Sequence, residues 1–397
     1  MNAITKPDQS AVGARAVDVH RGELRSEVSR QWAVRPDDQK FLSLEALFSS
    51  VNHRREASFE SMISPRDLRF QADRDNADVL TIEADGKQIS PTRYSFGQLC
   101  GLAKAPAGYL RGMHAVRAAF NLQTDMLQRA EDKPIKLYGE TLDFTARAFT
   151  GPDYGRIFDA DLVAAVQRFA GTGSRWKVPG QIDWSNGTYN PYVNVTKDTT
   201  TLYASDRDVF LFLVDDTHPI SIGKLKNGDD DLIFRGFYCY NSEVGARSMG
   251  IATFWLRAVC QNRNLWGVED FDELRIVHSK HGALRFAREA EPALARYASS
   301  EPTKLLAGIS AARQAVVATN DEERKEFLTG SGLELSIKQA LRIVETCERE
   351  EGRKPESNWD MCQGLTAVAR DLHCQDDRLE LEKLASKLMG RAARNAV

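Results

Sequence analysis

The stretch LIFRGFYCYNSEVG, residues 232–245, decides how the middle of this chain is read. Leu232 to Tyr240 is crowded with aromatic residues, which predicts a strand. Gly236 and Gly245 bracket the aromatic run and the polar Asn241-Ser242-Glu243 turn that follows it. Two readings compete. In one, the rings stack on unpaired bases while nearby guanidiniums meet phosphates. Arg235, Phe237, Tyr238, Tyr240 and Arg247 are then the candidate nucleic-acid-binding residues. In the other, the strand is core and a helix begins just after it. Asn241 or Ser242 would cap that helix, with Glu243 in its first turn.

The same strand-like character extends on both sides. Ile135 to Tyr138, Leu142 to Phe149, Thr200 to Tyr203, Val209 to Val214 and Leu274 to His278 read as strands, and Asp159 to Ala170 as a helix. Asn227-Gly228 and Asp229 to Asp231 read as a solvated turn. Residues 248–260 suit a buried strand or a buried helix equally. Further upstream, Val79 to Ala84 followed by Asp85-Gly86 predicts a hairpin with a type I′ turn. Ser95 to Ala103 and a segment opened by Pro106 through Met113 predict a helical hairpin, either a packing unit or one that faces nucleic acid. Leu42, Leu44, Leu47 and Phe48 fall at helical spacing. Beyond about residue 282, Ala, Leu, Glu, Arg and Lys prevail in helical patterns, with Ile337, Ala340, Leu341 and Val344 as one stripe.

The expected class is therefore α+β: a mixed β-rich body with flanking helices and an all-helical C-terminal region. The divisions read from the chain are a flexible N-terminal arm (1–40) with Trp32 as a docking point, a hairpin plus helical-hairpin lead-in (41–132), an α+β body (133–290) and a helical C-terminal domain (291–397). At 397 residues the chain is long enough for two or three domains of about 150 each.

Hydrophobic residues make up 42% and charged residues 27%, which excludes a largely disordered or fibrous chain. No run of about 18 apolar residues occurs, and the N-terminus lacks a basic stretch before an apolar one, so a cytoplasmic protein without a membrane partner is expected. The net charge is −3 and no segment is strongly basic. That disfavours a binder of duplex nucleic acid working by general backbone neutralisation, but it leaves room for a local basic groove. Six cysteines (Cys100, Cys239, Cys260, Cys347, Cys362 and Cys374) form no C-x-x-C, so a reducing compartment fits better than a disulfide scaffold.

Signatures of P-loop, Rossmann, zincin, EF-hand and serine-hydrolase sites are missing. Gly171-Thr172-Gly173-Ser174 follows a helix and reads as a helix stop. The metal candidates are Asp206 with Asp208, which a pleated strand would place on one face, and His278-x-x-His281. Turn chemistry at Ser205 to Asp208 is the competing account. Asp215 and Asp216 flank the far end of the same strand, and His218 is positioned to pair with Asp216. The catalytic candidates are Cys260 as a nucleophile and His278 as its base, against the commoner buried, inert thiol. No cofactor is called for beyond a divalent metal at those carboxylates.

One ordered set of residues resembles a known family. Ser205 to Asp208 with Val209-Phe210 and Phe212 to Asp215, then Arg235-Gly236-Phe237, Asn241 to Gly245, Val259-Cys260-x-Asn262, Leu265-Trp266-Gly267 and Arg275-x-x-His278 are similar to the phage/plasmid-like "domain of unknown function 932" family. Phe96-x-x-Leu99, Ala105-Pro106-x-x-Tyr109-Leu110 and Asn358-Trp359-Asp360 to Leu365-Thr366 extend the likeness over about 90–375, with Gly364 standing where alanine is expected. The resemblance implies mobile-element biology but carries no activity and no functional residues. The expected role is a non-enzymatic accessory protein that handles single-stranded DNA in replication or recombination. The alternatives are a metal- or Cys/His-dependent enzyme, and a host-interaction or self-assembling scaffold protein built on the C-terminal helices.

Overall fold

The protein is described from a computed structural model. It covers residues 36–370 and scattered positions from 381 to 391, except 143, 172, 179–181, 184–187, 190–194, 198–199, 216, 225–227, 229, 258–264, 267–273, 300–302, 331 and 334. Trp32, Asp216, Cys260 and Cys374 lie outside the described residues.

The architecture is α+β, with two large antiparallel-rich sheets and a helical C-terminal region. Strand β1 (Lys40–Phe41) pairs with Leu202 and Tyr203 of the larger sheet. The end of the expected free arm is therefore pinned by a ladder. Helix α1 (Leu44–Glu56) follows, with the Ser43 hydroxyl accepting from the Ala46 N–H and with Leu44, Leu47 and Val51 buried. Leu42, read as part of its stripe, is exposed.

The smaller sheet has the order β2-β6-β7-β5-β4-β3. It comprises β2 (Ser58–Ile63), β3 (Arg69–Ala72), β4 (Leu80–Ala84), β5 (Lys87–Pro91), β6 (Ile135–Glu140) and β7 (Thr145–Thr150). Between β4 and β5, Asp85 and Gly86 take φ of 51° and 69°, the paired left-handed residues a type I′ turn requires. Helices α2 (Arg93–Leu102), α3 (Ala107–Arg111) and α4 (Ala115–Arg129) are inserted between β5 and β6 and pack on this sheet. The division at 132/133 runs through one sheet, because β6 and β7 pair with β2 and β5. Helix α4 was not legible: its buried face is Ala115, Ala118, Ala119, Leu122 and Met126, and three alanines make a faint stripe.

Helix α5 (Asp159–Ala170) crosses to the larger sheet. After β8 (Trp176–Lys177) and the two-stranded pair β9 (Ile182–Asp183) and β10 (Thr188–Tyr189), that sheet is built on β11 (Leu202–Ala204), β12 (Val209–Asp215), β14 (Asp230–Asn241) and β15 (Met249–Arg257). Strand β8 pairs with β12, β13 (Ile220–Lys224) with β14, and β16 (Leu265–Trp266) and β17 (Leu274–Ile276) with β15. The ambiguous 248–260 segment resolves as a strand, in register with β14 from Ile233↔Arg257 to Tyr240↔Gly250. Its apolar run is continuous because it lies inside a sheet.

Helices α6 (Gly282–Ser299), α7 (Thr303–Gln314), α8 (Asp321–Thr329), α9 (Ile337–Glu351) and α10 (Asn358–Arg370) complete the described chain. On α9 the buried residues are Ala340, Ile343, Thr346 and Cys347, whereas Ile337 and Leu341 are exposed, so the stripe read from sequence is rotated from the one used. Asp231 also departs from its expected solvated turn. It is buried at the start of β14, 3.2 Å from Arg313 of α7. Among the described residues no helix is long and apolar enough to cross a membrane.

Candidate functional site

The aromatic strand does not present a stacking face. Phe237 points into the core, with its ring centroid 4.9 Å from Trp176 and 5.8 Å from Phe169. Tyr238 turns to the other face, as the pleat requires, and is buried against Phe210 at 5.7 Å. Tyr240 stacks on Tyr238 at 6.3 Å and lies across Gly250 of the paired strand, where a Cβ would overlap its ring. Arg247 is 3.7 Å from Asp208 and sits over the Tyr240 ring. Arg235 is half-buried within the ladder. These five residues therefore fall on two faces of a central strand and on the turn after it. The reason is the position of β14, which has β12 on one side and β15 on the other.

The polar turn after the strand is not a helix start. Asn241, Ser242 and Glu243 are all buried and join the two sheets. Glu243 accepts from the Arg147 guanidinium of β7, from Tyr138 Oη of β6 at 3.2 Å and from the Asp159 N–H at 3.0 Å. Arg156 donates to the Glu243 carbonyl and lies 3.8 Å from the Tyr138 ring centroid. Asn241 Nδ2 donates at 2.8 Å to both the Ile157 carbonyl and Asp159 Oδ1. Close approach of two backbones completes the cluster: a Cβ on Gly155 would strike the Ser279 carbonyl, so only glycine lets segment 154–157 lie against the turn after β17.

This interior sets the charge states of its members. Burial pushes the Glu243 carboxyl up, but Arg147 and Arg54 overcome it and hold the group below its ordinary range. Asp159 goes the other way, because burial and the neighbouring Glu243 both disfavour its ionisation. Burial drives His278 down to about 4. Its Nδ1 accepts from the Ile157 N–H at 3.3 Å, and its ring stacks on Tyr154 at 5.0 Å.

The metal candidates are not brought together. Asp206 is exposed and Asp208 buried, because both belong to a turn and not to a strand face. In that turn Ser205 Oγ accepts from the Arg207 and Asp208 N–H groups. His278 is buried whereas His281 is exposed. Among the described residues no group of three or more His, Cys, Asp or Glu is placed to hold a metal ion. His218 Nδ1 lies 3.3 Å from Asp215, so the described carboxylate beside it is the strand residue itself. A meeting of His278 with Cys260 falls outside the described residues.

The same turn carries the feature that sequence reading missed. Arg207 lines, together with Arg93 and Arg111, a cleft of about 500 Å³, which Tyr94 and Gln98 also line. Arg207 lies 5.6 Å from the Tyr94 ring centroid, and Arg111 lies 5.5 Å from that of Phe96 while donating to the Arg93 carbonyl at 2.8 Å. Gly97 leaves room for Arg111, since a Cβ there would sit 3.2 Å from its Nη2. Among the described residues none of the three guanidiniums has a carboxylate within salt-bridge distance, and Asp206 is the one acid in the lining. The buried network holds this turn from within. Arg147 Nη2 donates to the Asp206 carbonyl at 3.0 Å, and Ser242 Oγ donates to the Arg207 carbonyl at 2.6 Å. The one signal available in the sequence was the Pro-linked helical pair, which brings Arg93 and Arg111 together.

No family model, curated protein or solved structure matches the chain. The fold and site describe an α+β protein whose two sheets are joined by an interior ion-pair network beneath an arginine-lined cleft.

Proposed function

We propose that the chain binds single-stranded nucleic acid through the cleft of Arg93, Arg111 and Arg207, as an accessory protein in the replication or recombination of a mobile element. The observation that carries the binding reading is that Arg93, Arg111 and Arg207, none with a carboxylate partner among the described residues, line one cleft of a chain whose net charge is −3. Arginine offers a planar fork of donors that matches phosphate oxygens. A local cluster on an otherwise balanced surface supports a short footprint on one strand and not a track along a duplex. The aromatic strand, with Phe237 and Tyr238 buried, is left out of the proposed contact surface. The mobile-element context comes from the sequence resemblance alone.

Fluorescence anisotropy with a labelled oligothymidylate tests the reading. Binding should weaken steeply with salt. In Arg93→Ala/Arg207→Ala the slope of log K against log salt should fall by about 0.7 for each lost phosphate contact. Folded protein that binds no strand at low salt, or a double variant that binds as the parent does, overturns it.

A further inference from the structure

We infer that the hollow adjoining Arg93 and Arg111 takes one unstacked base of the bound strand, an assignment that rests on the phosphate-binding reading above. The hollow has a volume of about 480 Å³; Val79, Leu80 and Met113 give it accessible apolar wall over the buried Phe96 and Leu110, and Thr92 adds a polar group. It shares Arg93 and Arg111 with the basic cleft, so two exposed arginines stand between that cleft and a hollow of mixed apolar and polar lining. That juxtaposition matches a nucleotide unit, in which a charged phosphate is tethered a few ångströms from a flat ring with apolar faces. Ser90 also lines the hollow, and its hydroxyl, which makes no hydrogen bond among the described residues, can meet the polar edge of a base. Asp78, the acid on this side, is 3.2 Å from His114.

A paired base in a duplex has both faces covered by its neighbours and cannot enter without being unstacked, whereas a base in a single strand pays little to do so. The hollow thereby strengthens the preference for single strands that the short arginine footprint begins.

The test compares an oligothymidylate with an abasic phosphodeoxyribose strand of the same length, each titrated into the full chain. The thymidylate should bind about tenfold more tightly. Val79→Trp, which fills the mouth from an exposed position, should bring that ratio towards one. Met113→Glu, which places a carboxylate in the wall, should do the same if the tryptophan variant does not fold. Equal affinity for the two strands, with Arg93→Ala still weakening both, overturns the base pocket and leaves the phosphate cleft standing. Absence of binding to either strand overturns both readings together. Displacement of the strand by thymidine monophosphate at equal concentration overturns the strand as occupant in favour of a free nucleotide.

Discussion

Arg147 and Arg207 meet at the same turn from opposite sides. Arg147 is 2% exposed and is enclosed by Glu243, Glu140 and the ring of Tyr138. Arg207 is exposed, leans on Tyr94 and has no carboxylate partner among the described residues. One guanidinium is fully committed to holding the fold, and the other is held in place by that fold with its donors free for an outside anion. Surroundings separate the two basic residues, and the buried one helps to hold the turn that carries the exposed one.

Removal of the interior cation should have the largest effect. Arg147→Ala strands the Glu243 charge in a buried site and should cost about 3–5 kcal/mol in urea unfolding. Adding Glu243→Gln to the same chain should recover a good part of that loss, which a double-mutant cycle reads directly. A cost near that of a surface change would erase the distinction between the two arginines.

The next effect is on pH. His278 has a folded pKa of about 4 against an ordinary 6.5, so the unfolded chain binds its proton more readily. Stability should be full above about pH 6.5 and fall as pH drops towards 4, by roughly 3 kcal/mol in all. Glu243, held low by Arg147, loses its contribution at more acid pH, below its ordinary value of 4.5. His278→Gln should therefore flatten the window between 6.5 and 4.5 and leave the lower part, as thermal melts across that range would show.

Asp159→Asn sharpens the contrast from the other direction. Asp159 is pushed up by burial and by Glu243, so its stability contribution is present below its ordinary 3.8 and is lost as pH rises through the folded value. An amide keeps the acceptor for Asn241 and removes the charge. A gain of about 1 kcal/mol at pH 7 is expected in the same unfolding assay. Destabilisation would mean that the ionised carboxylate is what the network needs.

The smallest change in stability belongs to the surface arginine. Arg207→Ala should shift unfolding by no more than about 0.5 kcal/mol while weakening oligothymidylate binding and its salt dependence. A large loss of stability would make Arg207 structural and remove the contrast.

Much of the local structure was legible. The Asp85-Gly86 turn carries its own backbone requirement, and the helix Asp159–Ala170 has an apolar stripe and an acidic first turn within twelve residues. The site was not. Asn241-Ser242-Glu243 stood out as a dense polar segment, but the residues that explain it, Tyr138, Arg147, Arg156 and Asp159, lie 82 to 105 positions away in the chain. Periodicity sees only neighbours. For the same reason α4 was overlooked, since alanines give a weak stripe until a sheet is laid against them.

By itself, then, the sequence determined the α+β class, the hairpin turn, the strand at 232–240 and the helical C-terminal region, because each follows from backbone preference and local hydrophobic period. The tertiary structure alone decided that the aromatic strand is sandwiched between two others, that Glu243 neutralises Arg147, and that Arg93, Arg111 and Arg207 share a cleft. Pairing between sheets and across long chain separations sets the exposure of each charge, and exposure is what divides a group that holds the fold from one that can hold a ligand.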